Sequence, residues 1–395
     1  MGHVAGGSLL IAGTSIGVGM LALPVATGAA GFLPSALIYF LCWLFMIATA
    51  LLLVEVSLSM PKDTSFISMA EKLLGSTGKK VFWIAYLFLF ITVMIAHIVG
   101  GGAVLREIFG MGLSGTLWTI VYAAAIAPIV YLGTHTVDRI NIVLLSGTLL
   151  SYFAFIAVSL GYIDLSLISH IDWGKTWIAV PILFTAFTFQ VIIPTLMTYM
   201  ERNVRKIRIA IFVGSSIPLV VYLIWEFLIL GILPQAALVD AAKAGENAVE
   251  PLKHFVDSGS LSAIGKGFAF FAMTTSFVPL ALSFFDFLAD GLHMKKKGKN
   301  KTALVAAIFG IPLFVALIYP NVFLIALGYA GGVSCAFLFG LMPPLLAWIC
   351  RYRHHAPLER RQLAGGKALL AFLMLLAILI LIGEIFQQLL LLYQE

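Results

Sequence analysis

Eleven separate runs of mostly apolar residues recur along this chain, each long enough to cross a lipid bilayer. A crossing helix needs about 20 such residues. In hydrocarbon the backbone must satisfy its own polar groups, so only helices and closed barrels can span. The runs lie near Val4–Gly28, Phe32–Glu55, Val81–Leu105, Leu117–Leu132, Ile142–Ile163, Trp177–Met200, Ile209–Leu233, Ala263–Asp290, Thr302–Tyr319, Val322–Trp348 and Ala368–Tyr393. They exceed the alternating segments of about 10 residues that build a barrel. An all-α membrane protein is therefore predicted, one transmembrane unit over residues 1–395. Composition agrees: 61% of residues are hydrophobic and 11% charged, which excludes a soluble globular enzyme, a disordered chain and a nucleic-acid-binding module.

Charge placement orients the bundle. Nineteen of the 24 lysines and arginines fall in even-numbered connections: Lys62 to Lys80, Arg139, Arg202 to Arg208, Lys295 to Lys301, and Arg351 to Lys367, with Arg360 among the last. The odd-numbered ones hold only Arg106, Lys175, Lys243, Lys253 and Lys266. This asymmetry predicts a cytoplasmic N-terminus and an external C-terminus. The basic clusters read as topology determinants, not as nucleic-acid patches. The longest sparsely basic connection, Leu233 to about Ser262, is the candidate for a short helix and an outer cap. Cys42, Cys335 and Cys350 lie in or beside apolar segments, match no metal spacing and read as small buried hydrophobes. No basic stretch precedes the first apolar run, so no cleavable signal peptide is expected.

Two runs carry helix breakers. The first contains AGTSIGVGMLALP, in which Gly13, Gly17 and Gly19 weaken the helix and Pro24 removes a donor. Free backbone groups at membrane depth are tolerated only where they are buried in protein or line a cavity. The sixth run contains FTAFTFQVIIPTLMTYM, interrupted by Gln190 and Pro194. The two are five runs apart, so a repeat of five helices re-enters the membrane inverted. Corresponding broken helices in two inverted halves point to a transport site near the bilayer midplane. An amino acid suits it: half-helix N-termini attract a carboxylate and free carbonyls accept from an ammonium.

Four segments resemble the hydroxy and aromatic amino acid permease family of the amino acid–polyamine–organocation superfamily, and within it the tyrosine-specific permeases: GGSLLIAGTSIGVGMLALPVATGAAGF, FTFQVIIPTL, TSFVPLALSFFDFLADGL and ALGYAGGVSCAFLFGLMP. The resemblance implies a five-plus-five inverted repeat of the leucine-transporter type, with repeats over 4–163 and 177–348 and a peripheral eleventh helix over 368–393. It also implies ion-coupled import of an aromatic amino acid, tyrosine first, across a bacterial inner membrane. By position, Gly13 to Gly19 form the unwound segment, with Thr14, Ser15 and Gly17 on the amino acid backbone. Phe187, Phe189 and Gln190 form the matching part of the sixth helix. Gln190 stands where this family often has His, and His97 where it often has Tyr. A carboxamide cannot relay a proton as imidazole does, while His97 could contact substrate or titrate.

Coupling has two readings. No phosphate-binding loop ending in Lys-Ser or Lys-Thr is present, so ATP drive is not expected. Glu226 and Asp286 are the proton candidates, as ionisable residues within spans. For sodium, the resemblance implies an oxygen cage of the Gly13, Ile16 and Ala272 carbonyls with the Thr275 and Ser276 hydroxyls, ligands that suit a hard cation. Proton coupling is favoured, with sodium-coupled uptake of tryptophan or another neutral amino acid as the alternative. No other metal, no cofactor, no nucleic acid and no obligate protein partner are expected; the substrate and the bilayer are the partners. An intramembrane enzyme would need a nucleophile–base pair or a metal cluster at depth, and only His97 of the eight histidines is central. A channel would need a continuous polar pore, which these spans lack.

Overall fold

The computed structural model describes residues 2–62, 64–110, 112–255, 259–354 and 361–392. Arg360 and Tyr393 lie outside the described residues. Among the described residues all regular structure is helical, and it forms eleven spans if one bent pair counts as a single span. The first span is that pair, Gly2–Ser15 and Val18–Thr27, bent by 56°. The second is Phe32–Leu58, the third Phe66–Phe109, the fourth Gly115–Leu132 and the fifth Thr134–Ser159. The sixth runs over Trp173–Tyr199 in pieces, with helical halves Val180–Ala186 and Ile193–Tyr199. Val204–Ile232, Gly259–Gly291, Gly298–Ile318, Phe323–Tyr352 and Lys367–Leu392 complete the order.

Span ends follow local chemistry. Ser65, Ser114 and Asn203 cap the third, fourth and seventh spans by accepting from backbone N–H groups three residues on. The third span corrects the expected start at Val81: helix begins at Phe66, bends at Gly75 (φ 76°), and carries Lys72, Lys79 and Lys80 on helix rather than loop. Apolar periodicity marked only the part inside lipid. The tenth span winds as π-helix over Tyr329–Leu341, which its sequence did not announce. The eleventh span is peripheral: its most apolar window is 22% buried, against 72% for the tenth, on which it packs.

The connection after the seventh span holds the expected short helix, Gln235–Ala244, and a further turn, Leu252–Phe255. Between them the chain dips into the bundle. Asn247, Ala248, Val249 and Leu252 are buried, and the Ala248 N–H donates to the Leu21 carbonyl of the first span at 2.9 Å. Glu250 on this segment is pushed up to about 7, first by burial and then by the Glu246 carboxylate. On the opposite face, which carries the basic clusters, a cavity of about 390 Å³ opens between the ends of the second and sixth spans.

Candidate functional site

The first break is narrower than the sequence suggested. Helix persists through Gly13, Thr14 and Ser15, and only Ile16 and Gly17 leave it. Gly13 and Thr14 are exposed, and the Thr14 hydroxyl donates to its own helix at Ile11. Pro24 sits inside the second half, in buried helix, and breaks nothing. In the sixth span regular helix stops at Ala186 and resumes at Ile193, with Phe187 to Phe189 bridging to a single tight turn at Gln190–Ile192. Pro194 opens the second half rather than kinking a continuous rod.

The two breaks meet. Gly19 lies against Ala186 so closely that a Cβ would stand 3.0 Å from the Ala186 Cα. Tyr222 of the seventh span lies between them, its hydroxyl 2.6 Å from the Ser15 carbonyl and 2.9 Å from the Ala186 carbonyl. Both carbonyls end a half-helix, where the backbone dipole leaves partial negative charge. The N-terminus of Val18–Thr27 opens beside them with no side-chain cap, offering N–H groups and partial positive charge. Acceptors and donors for a zwitterion are thus set a few residues apart by the break itself. Phe187 supplies an aromatic wall, edge-on to Tyr222 at 5.1 Å and to Tyr39 at 6.4 Å.

On the other flank Gly17 faces Ser276 of the eighth span; a Cβ there would lie 2.6 Å from the Ser276 Cβ. His97 completes this corner. Its Nδ1 donates to the Val93 carbonyl at 2.8 Å, so Nε2 of the neutral ring accepts from the Ser276 hydroxyl at 2.9 Å. The ring stacks on Phe277 at 5.2 Å. Ser15, Gly17, Gly19, His97, Phe187 and Ser276 are therefore brought around the crossing.

Other predicted residues turn elsewhere. Gln190 is fully buried, and its amide nitrogen donates to the Met46 carbonyl and the Thr49 hydroxyl of the second span while its oxygen accepts from the Phe189 N–H. It fastens the break to the second span. Phe189 is buried beside it. Of the five positions expected to form a sodium cage, Ile16 and Ser276 lie at the crossing. The Ala272 carbonyl is 3.1 Å from the Ser276 hydroxyl of the next turn. Thr275 instead donates to Asn141 of the fifth span at 2.8 Å, and Gly13 faces open space. Asp286 is half-buried near the basic end of the eighth span and pairs with Lys296 at 2.8 Å, as the exposed Asp290 does at 3.1 Å.

Glu226 is the buried acid of the site. Tyr39 donates to one oxygen at 2.7 Å, and the Thr27 hydroxyl lies 2.5 Å from the other. The same Thr27 oxygen is 2.7 Å from the Leu23 carbonyl. One hydroxyl proton serves one acceptor well. With Glu226 ionised, Thr27 donates to it; with Glu226 protonated, the acid donates to Thr27, which turns its proton to Leu23. Rotation of one hydroxyl accommodates both states. Sequence reasoning named Glu226 but missed Tyr222, Tyr39 and Thr27. The spacing of Tyr222 and Glu226, four residues apart on one helix face, was the available signal.

A sequence model of the tryptophan/tyrosine permease family matches residues 1–384. The tyrosine-specific transport system 1 of Haemophilus influenzae is 33% identical over 96% of each chain. The tryptophan-specific transport protein of Pseudomonas aeruginosa is 31% identical over 90% of this chain and 88% of its own. In three dimensions the chain is similar to MhsT, solved in complex with L-phenylalanine, at a TM-score of 0.66 and 14% identity over 96% of this chain and 97% of that one. That likeness shows the leucine-transporter-type fold.

Proposed function

The chain belongs to the tryptophan/tyrosine permease family, and we propose from this premise that it imports an aromatic amino acid, tyrosine foremost, by proton symport with alternating access. It is a permease-family protein and not an enzyme. The observation that carries the reading is the meeting of two half-helix carbonyls, Ser15 and Ala186, beside the open N-terminus of Val18–Thr27. The substrate ammonium binds the carbonyls, its carboxylate faces the N–H groups, and its ring packs toward Phe187.

Tyrosine is placed first because two tyrosine-specific relatives share 33% and 32% identity with this chain, against 31% and 28% for two tryptophan-specific ones. Proton coupling is placed at Glu226, whose surroundings accept either protonation state without a counter-cation. The face bearing the basic clusters is put in the cytoplasm of the inner membrane and the Gln235–Phe255 connection outside, following the positive-inside rule. Substrate and proton enter when the docked outer segment releases, the halves rock about the crossing, and both leave on the basic face.

The test is uptake of labelled tyrosine, tryptophan and phenylalanine into proteoliposomes, with proton and sodium gradients imposed independently. Tyrosine accumulation driven by a proton gradient is the expected outcome. Accumulation driven by sodium alone moves coupling to the Ser276 side, and no uptake under any gradient overturns the reading.

A further inference from the structure

The carbonyls assigned above to the substrate ammonium already have a donor. Tyr222 is fully buried, and its hydroxyl reaches both, 2.6 Å to Ser15 and 2.9 Å to Ala186. That is one proton for two acceptors at the ends of two half-helices, so each receives half a hydrogen bond. An ammonium brings three N–H donors and a full positive charge to the same point. Charge-assisted bonds are roughly twice as strong as neutral ones, and the helix ends favour a cation over a hydroxyl.

We propose that Tyr222 is a specificity-determining residue whose hydroxyl stands in for the substrate's ammonium, holding the two broken spans together until an α-amino group displaces it. The inference rests on the reading that the paired breaks bind an amino acid. Only a guest with a cationic amino group outbids the hydroxyl; an aromatic acid lacking one leaves Tyr222 in place. Glu226 lies four residues further along the same helix and grips Thr27 and Tyr39. Displacement at the carbonyls and a proton change at the acid therefore act on adjacent turns of one helix, which gives substrate and proton a shared lever.

The experiment uses the full-length protein in proteoliposomes and the variant Tyr222→Phe, which keeps the ring against Phe187 and removes only the competing donor. The KM for tyrosine is expected to fall about two- to twelvefold, the range for one net neutral hydrogen bond. The inhibition constant of hydroxyphenylpropionate, the same ring without the amine, should stay unchanged. A KM that is unchanged or raised overturns the proposal, as does an equal shift for both compounds. Should the variant not assemble, fluorotyrosine placed at position 222 retains the hydroxyl and serves instead. Its fluorine NMR resonance should move on addition of tyrosine and hold still with hydroxyphenylpropionate; an equal response to both, or none to either, overturns the proposal. A wild-type protein that transports no aromatic amino acid defeats the underlying reading instead, so the two failures are distinguishable.

Discussion

Arg351 donates to both oxygens of Glu55, from Nε at 2.6 Å and from Nη2 at 2.7 Å, and both side chains are 1% exposed. The pair joins the end of the second span to the end of the tenth. It also organises the chain beyond: Arg351 donates to the Gly365 and Leu363 carbonyls, and Glu55 accepts from the Gln362 N–H. Removing one partner of a buried pair leaves an uncompensated charge and costs about 3–5 kcal/mol. Glu55→Gln should therefore lower the melting temperature of the purified protein markedly, and Glu55→Leu with Arg351→Met should restore most of the loss. A melting temperature indifferent to the single change would contradict this account.

Glu226→Gln tests the proton site. The carboxamide keeps the shape, and Thr27 and Tyr39 can still pair with it, so assembly should be retained. It cannot cycle between charged and neutral forms. Exchange of internal for external tyrosine should persist, while accumulation against a gradient should stop responding to an imposed proton gradient. Accumulation with unaltered pH dependence would remove Glu226 from the coupling path.

What the sequence made legible tracks what lipid enforces. Eleven spans were visible because hydrocarbon demands long apolar runs, and the two breaks because Gly17, Gln190 and Pro194 are costly there. The break at Gly17 was drawn too wide, since Gly13 and Gly19 are helical and only the crossing with Ala186 and Ser276 shows why small residues occupy 17 and 19. Gln190 announced a polar contact but not its direction, which depends on Met46 and Thr49 of another span. Asp286 reads as lying toward the end of its span, where pairing with a nearby Lys or Arg competes with a proton role, and the structure gives it Lys296. Tyr222 was hidden among apolar neighbours, because an aromatic with a polar tip reads as core until its acceptors are in place.

The connection over Gln235–Phe255 should respond to pH through Glu250. Its carboxyl is held at about 7, by burial first and the Glu246 carboxylate next. The Glu107 carboxylate adds to this, while the Asn247 N–H and Lys253 oppose it. The docked segment thus binds more protons than the released one between the ordinary value of 4.5 and about 7, so docking weakens as pH rises through that window and loses nothing further above it. Hydrogen exchange at the Ala248 amide, bonded to the Leu21 carbonyl, should accelerate from about pH 5 to about pH 8 beyond the intrinsic chemical rate. Glu250→Gln should flatten that excess; an identical profile in the variant would assign the response elsewhere.

Gly17→Ala is the sharpest test of the crossing. The backbone at Gly17 is extended (φ −177°), so any residue can adopt it and the constraint is space alone. A single methyl group would meet the Ser276 Cβ at 2.6 Å and its hydroxyl oxygen at 2.9 Å. Ser276 cannot retreat freely, because its hydroxyl serves His97, whose ring is stacked on Phe277. The methyl therefore prises the first span from the eighth, at an overpacking cost of about 1–3 kcal/mol. Uptake should fall at least about tenfold, the factor carried by ~1.4 kcal/mol on the transport barrier, while the bundle still assembles. Gly310→Ala in the ninth span, where an added Cβ meets nothing within 4 Å, should leave uptake unchanged. Equal uptake by both variants would mean that the contact between Gly17 and Ser276 plays no part in transport.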